Sequence, residues 1–148
     1  GGWRHTGTFD KFDGGRRTGS NGGYVVAEQT ILPESSEGEG LVAFLLAGLG
    51  DEEVNAIERH AGIGVVYRGA LPGRNDDVIG LGCTRVEFSD RTGAGFTENS
   101  EVLWELFYQA QVTPWLVVQP DLQWIRDPGG DATIGDAWVG SLRVEITL

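Results

Sequence analysis

The chain has 148 residues, enough for one domain over 1–148, and its 22 acidic against 11 basic residues give a formal charge of −11. That balance argues against nucleic acid as a partner, because such binding needs Lys and Arg to displace phosphate counterions. The longest apolar run, 41–49, is about half of what a membrane-crossing helix needs, and the lone Cys83 excludes an intrachain disulfide.

In chain order, 3–9 reads as the exit of a strand, and 23–32 and 41–48 as weaker strands. The Glu- and Ala-rich 51–59 reads as a helical turn or two within a loop. A strand over 61–69 carries Arg68, and the turn 71–77 (LPGRNDD) leads to a strand over 78–89, where Arg85 and Glu87 share a face with Cys83. In 101–111, Val102, Trp104, Leu106 and Tyr108 alternate with Leu103, Glu105, Phe107, Gln109 and Gln111. A tight hairpin over 112–114 precedes 115–125, where Leu116, Val118, Leu122 and Trp124 alternate with Gln119, Asp121 and Gln123. Pro120 interrupts that pattern, since proline cannot donate to a ladder and favours edges or bulges. The turn-forming 127–131 leads to 137–148, where Trp138, Gly140, Leu142, Val144, Ile146 and Leu148 oppose Ser141, Arg143, Glu145 and Thr147. The opening Gly1-Gly2-Trp3 lacks a methionine and reads as a processed or truncated start.

A period of two places one row on each face of a strand, and about 9–11 residues is the length with which a tilted strand crosses a bilayer. The expectation is an all-β, antiparallel, up-and-down transmembrane β-barrel of about eight strands. Short turns near Pro33, Pro72 and Thr113 are expected to alternate with longer loops near Gly14, Asp51, Thr92 and Gly130, as in outer-membrane barrels. Trp104, Tyr108, Trp115, Trp124 and Trp138 fit interfacial girdles on the lipid face. The same alternation fits a soluble, acidic, sugar-binding sandwich. Eight strands would also close by themselves into a small barrel, an anchor or adhesin whose interior is just filled by side chains.

Two long segments, 61–82 (AGIGVVYRGALPGRNDDVIGLG) and 105–130, with ELFYQAQVTPWLVVQPDLQWI and then DPGG, resemble the carbohydrate-selective porins of the OprB family, as do GWRHTG at 2–7 and YVVAEQ at 24–29. The resemblance covers essentially the whole chain in order and accounts for Pro120 within Gln-Pro-Asp. Because such porins are sixteen-stranded and about three times longer, it implies the C-terminal half of a barrel. It also implies the bacterial outer membrane, with sugars as transported solutes, membrane lipid and a homo-oligomer as partners, and no bond chemistry. Such barrels usually end in an aromatic residue, and Leu148 departs from that. An isolated half would leave two open strand edges, which hydrocarbon does not tolerate.

A pore acts through its lining. The inward candidates are Glu28, Arg68, Arg85, Glu87, Glu105, Gln109, Asp121, Gln123, Arg143 and Glu145. Their carboxylates, amides and guanidinium groups suit sugar hydroxyls, which both donate and accept hydrogen bonds. The bland alternative is cross-strand pairing, as in Arg85 with Glu105 or Arg143 with Asp121. Most of the tryptophans are expected to point outward. His5 and His60 lack partners at ligand spacing, which argues against a metal site. The three aspartates of 127–136 match no EF-hand loop. Paired carboxylates such as Glu87 and Glu105 could in principle serve a glycosidase, and nothing else supports that. No cofactor is expected.

Overall fold

The computed structural model describes residues 1–34 and 39–147, so the expectation about Leu148 lies outside the described residues. The strands are β1 (Gly2–Asp10), β2 (Arg16–Pro33), β3 (Gly40–Gly50), β4 (Ile57–Arg68), β5 (Val78–Phe88), β6 (Ser100–Thr113), β7 (Leu116–Arg126) and β8 (Ala137–Ile146). They form one antiparallel sheet in the order β1 to β8. β1 and β8 are its two edges and do not pair, so the sheet is open. A self-contained eight-stranded barrel is therefore not formed, and a single sheet without an opposing layer is not a sandwich. Val78 and Phe88 are the only hydrophobic side chains buried among the described residues.

The register sorts every strand onto two faces, because directly paired residues of an antiparallel ladder point the same way. One lateral row runs Ala27, Leu45, Ile63, Cys83, Trp104, Trp124, Trp138, and the next Leu81, Leu106, Leu122, Gly140. These rows are exposed: Leu106 is 47% and Leu142 66% accessible. On the other side Gly62, Gly64 and Gly80 are buried. That face, which also carries Glu105 and Asp121, is called inward below.

The segment 51–59 makes one of the one or two turns expected, closed by the Val54 and Asn55 N–H groups on the Asp51 carbonyl, before β4 begins at Ile57. Two expectations change. The contrast between short turns and long loops is weaker than expected, since the 11–15 connection is shorter than 69–77. β2 starts at Arg16 and pairs with β1 around a bulge in which Thr6 and Gly7 stand opposite Gly19 (φ 86°), which consumes the loop. Pro120 lies inside the sheet, not at an edge. It pairs with Leu142 on one side, and the β6–β7 ladder is interrupted between Phe107–Asp121 and Ala110–Val118 on the other, where the missing N–H is not required.

Hydrogen bonds join the connections at one end. Arg17 bonds Asp51 at 3.0 Å, Arg91 bonds Asp13 at 3.2 Å and also Glu52, and the Thr97 and Glu98 N–H groups share the Gly130 carbonyl. Gly130 (φ 66°) has Phe88 against it, where any Cβ would collide with the ring. At the opposite end the buried Asp77 accepts from Arg74 Nε at 2.6 Å, from the Gln111 N–H at 2.9 Å and from the Tyr108 hydroxyl.

Candidate functional site

The inward face carries three lateral rows of polar groups. Glu28, Phe44, Gly64, Gly82, Glu105 and Gln123 form one. Val42, Val66, Gly80, Phe107, Asp121 and Ser141 form the next. Arg68 pairs with Val78 and Val78 with Gln109, while Arg143 pairs with Gln119, in a third. Glu145 pairs with Val117 on the same face. Thus Glu28, Arg68, Glu105, Gln109, Asp121, Gln123, Arg143 and Glu145 share one side of the sheet.

Arg85 and Glu87 do not. Arg85 pairs with Ala61 and Val102, and Glu87 with Arg59, all on the row side of Trp104 and Leu106. They sit where β5 runs out towards the loop 89–99, at the edge of the apolar band, where long charged side chains can reach water. There Glu87 bonds Arg85 at 3.3 Å and lies 3.6 Å from Arg59. The pair expected between Arg85 and Glu105 would have to cross the sheet, and Glu87 and Glu105 cannot act as a carboxylate pair for the same reason. Arg143 makes no ion pair among the described residues; Asp121 instead accepts from Ser141 Oγ at 3.3 Å, and its carboxyl lies beside that of Glu105.

The sequence reading missed the aromatic rings on this face. On the inward face the rings of Phe44 and Phe107 lie over Gly64 and Gly80, each directly across a strand, in space a Cβ would need. Trp3 covers Gly22 and His60 covers Gly48 in the same way. Glycines repeating at 62 and 64, and again at 80 and 82, were the available signal: a period of two that clears one face for rings from the neighbours. Trp3 therefore faces inward, while Trp104, Trp124 and Trp138 form a single outward row, in line with the expectation that most tryptophans point outward.

Carboxylate oxygens of Glu52, Glu58 and Asp90 come within 4.8 Å of one another at the loop end, a grouping without a sequence motif. The aspartates of 127–136 are engaged locally: Asp131 accepts from the Thr133 N–H at 2.8 Å and Asp136 from the Asp127 N–H at 3.4 Å.

The family model of the carbohydrate-selective porins, OprB family, matches residues 2–148. The chain belongs to that family. Porin B of Pseudomonas aeruginosa PAO1 is 29% identical over 87% of this chain and 33% of its own length. A high-pH structure of Pseudomonas putida OprB superposes with a TM-score of 0.87 at 25% identity, over 98% of this chain and 43% of that one. The low-pH structure gives 0.66 at 28% identity, over 86% and 36%. The chain thus spans about a third of Porin B and less than half of either solved chain. As a member of this porin family it is a bacterial outer-membrane protein, and its relatives are transport channels, not enzymes.

Proposed function

We propose that this sheet is part of the wall of a β-barrel through which carbohydrates cross the outer membrane by facilitated diffusion. The observation that carries the reading is the sorting of faces by register: apolar rows of Leu45, Ile63, Leu81, Leu106, Leu122 and Leu142 against inward rows holding Glu28, Glu105, Asp121, Gln123 and Arg143. Such a sheet meets hydrocarbon on one side and water on the other. Both of its edges need partners in a membrane, and further strands completing the barrel supply them. The inward polar set lines the path, Arg85 and Glu87 do not, and lipid covers the outward rows.

Liposome swelling with a graded series of sugars tests this. Swelling that falls as the sugar grows supports a wide path. Liposomes holding the complete, folded, heat-modifiable barrel that never swell would contradict it.

A further inference from the structure

We propose that the outward face at the loop end binds a phosphorylated lipid of the outer leaflet. Arg59 and Arg85 hold its phosphate, and its first methylenes lie on a groove floored by Ala47 and Ala61. These residues belong to β3, β4 and β5, inside the sheet, so they stay outward when further strands complete the barrel. The inference rests on the porin reading and names the lipid that one part of the wall selects.

Register stacks the outward rows by height. The row Val25, Ala47, Ala61, Arg85, Val102, Arg126 lies one step nearer the loops than the row of Trp104, Trp124 and Trp138. One step, two residues, is about 7 Å along a strand. From Trp138 to Ile146 every second residue is apolar or glycine. That run is about 27 Å long, or roughly 20 Å of height at barrel tilts of 35–45°. It fills most of the apolar band of about 25 Å that such barrels present to lipid, and tryptophan rings sit at headgroup level. The arginine row therefore stands at the depth of the headgroup phosphates on the loop side, the external side of such barrels.

Arg59 stands one step further out, opposite Glu87 and diagonal to Arg85, a separation of about 7–8 Å. Arg59, Arg85 and Arg126 are all half or more exposed, in a chain whose formal charge is −11. Arg85 Nε donates to Glu87 at 3.3 Å, and Arg59 lies 3.6 Å from the same carboxylate and 3.8 Å from Glu58. Arg126 Nε donates to Asp127 at 3.0 Å. Two guanidinium groups thus share Glu87, and the terminal nitrogens of Arg85 donate to no acceptor among the described residues. A phosphate oxygen pair matches the donor fork of a guanidinium, and its charge complements the surplus that Glu87 alone leaves on the pair. Beside them Ala47 and Ala61 lie between Leu49 and Arg59 on the loop side and Leu45 and Ile63 on the membrane side. Their short side chains leave a shallow apolar groove that ends at Arg85.

The experiment titrates the complete barrel, in uncharged detergent, with bis-phosphorylated lipid A and with its phosphate-free form, counting bound lipid by native mass spectrometry. The phosphorylated form should bind at the lower half-saturating concentration. Arg59→Gln and Arg85→Gln should each raise that concentration about fivefold, the weight of one arginine at a charged membrane surface. Glu87→Gln should lower it by freeing both guanidinium groups, a tightening that a merely structural ion pair does not produce. Arg143→Gln, on the inward face, should leave it unchanged. If Arg85→Gln does not fold by heat-modifiable mobility, Arg59→Gln and Glu87→Gln carry the test. Equal binding of the two lipid forms, unchanged values in the arginine variants, or displacement of the lipid by inorganic phosphate at equal concentration overturns the site. Any of these in a barrel that still passes sugars in liposome swelling overturns the lipid site alone. A barrel that passes no sugar overturns the porin reading on which the site rests.

Discussion

Tyr108 of β6 donates its hydroxyl hydrogen bond to the buried Asp77 carboxylate, in the turn between β4 and β5. The two long segments that resemble the porin family meet at this contact. The Pro-Gly-Arg and Asp-Asp of the first supply Arg74 and Asp77, and the second supplies Tyr108 and the Gln111 N–H. A turn 31 residues away in sequence is thereby locked to the strand that leads into the 114–115 hairpin.

Asp77→Asn should lower stability by about 1.5–3 kcal/mol, the range for a hydrogen-bonded charged group losing its charge, read from urea unfolding in micelles. The wild-type protein should show a matching pH dependence. Burial, at 4% side-chain exposure, pushes the Asp77 carboxyl up, but Tyr108, Arg74 and the Gln111 N–H outweigh it and hold the group below its ordinary value. A carboxyl lowered by folding stabilises above its unfolded value, about 3.9, and the stabilisation is lost as pH falls through the folded value. An acid limb that is smaller in Asp77→Asn than in wild type is the expected result.

Gly80→Ala should destabilise by about 1–3 kcal/mol, the usual range for overpacking, because the atoms nearest the new Cβ are those of the Phe107 ring. Phe107→Leu should recover part of that loss. A double-mutant cycle on unfolding midpoints measures it, and additive losses would remove the role given to the ring over the glycine.

Arg91 ties the 89–99 loop to Asp13 at 3.2 Å and to Glu52, with all three side chains a third or more exposed. Exposed ion pairs contribute about 0–1 kcal/mol each. Arg91→Ala should therefore leave the unfolding midpoint nearly unchanged while chymotrypsin cleavage after Phe96 becomes faster. Limited proteolysis followed by mass spectrometry checks this.

The strands and their order were legible because a half-wet sheet imposes a period of two, and residues such as Trp104, Leu106 and Glu105 have no other way to segregate. The open edges were legible only through the family resemblance, since eight amphipathic strands also fit a closed barrel. Arg85 and Glu87 were misplaced because charge was used to infer the face. At a strand end, charge and lipid-facing rows are compatible, and only the pairing of Arg85 with Ala61 and Val102 decides between them. Trp3, Phe44, Phe107 and His60 were overlooked on the inward face because each depends on a glycine in a neighbouring strand, and that partnership exists only once register is fixed.

Cysteine labelling by residue parity tests the sorting of faces most directly. In a Cys83→Ala background, single cysteines at Glu105, Leu106, Asp121 and Leu122 would be exposed to a charged, membrane-impermeant maleimide in the folded, bilayer-inserted protein. The account predicts rapid labelling at 105 and 121 and protection at 106 and 122. Equal labelling at all four, or labelling at 106 and 122 alone, would contradict it.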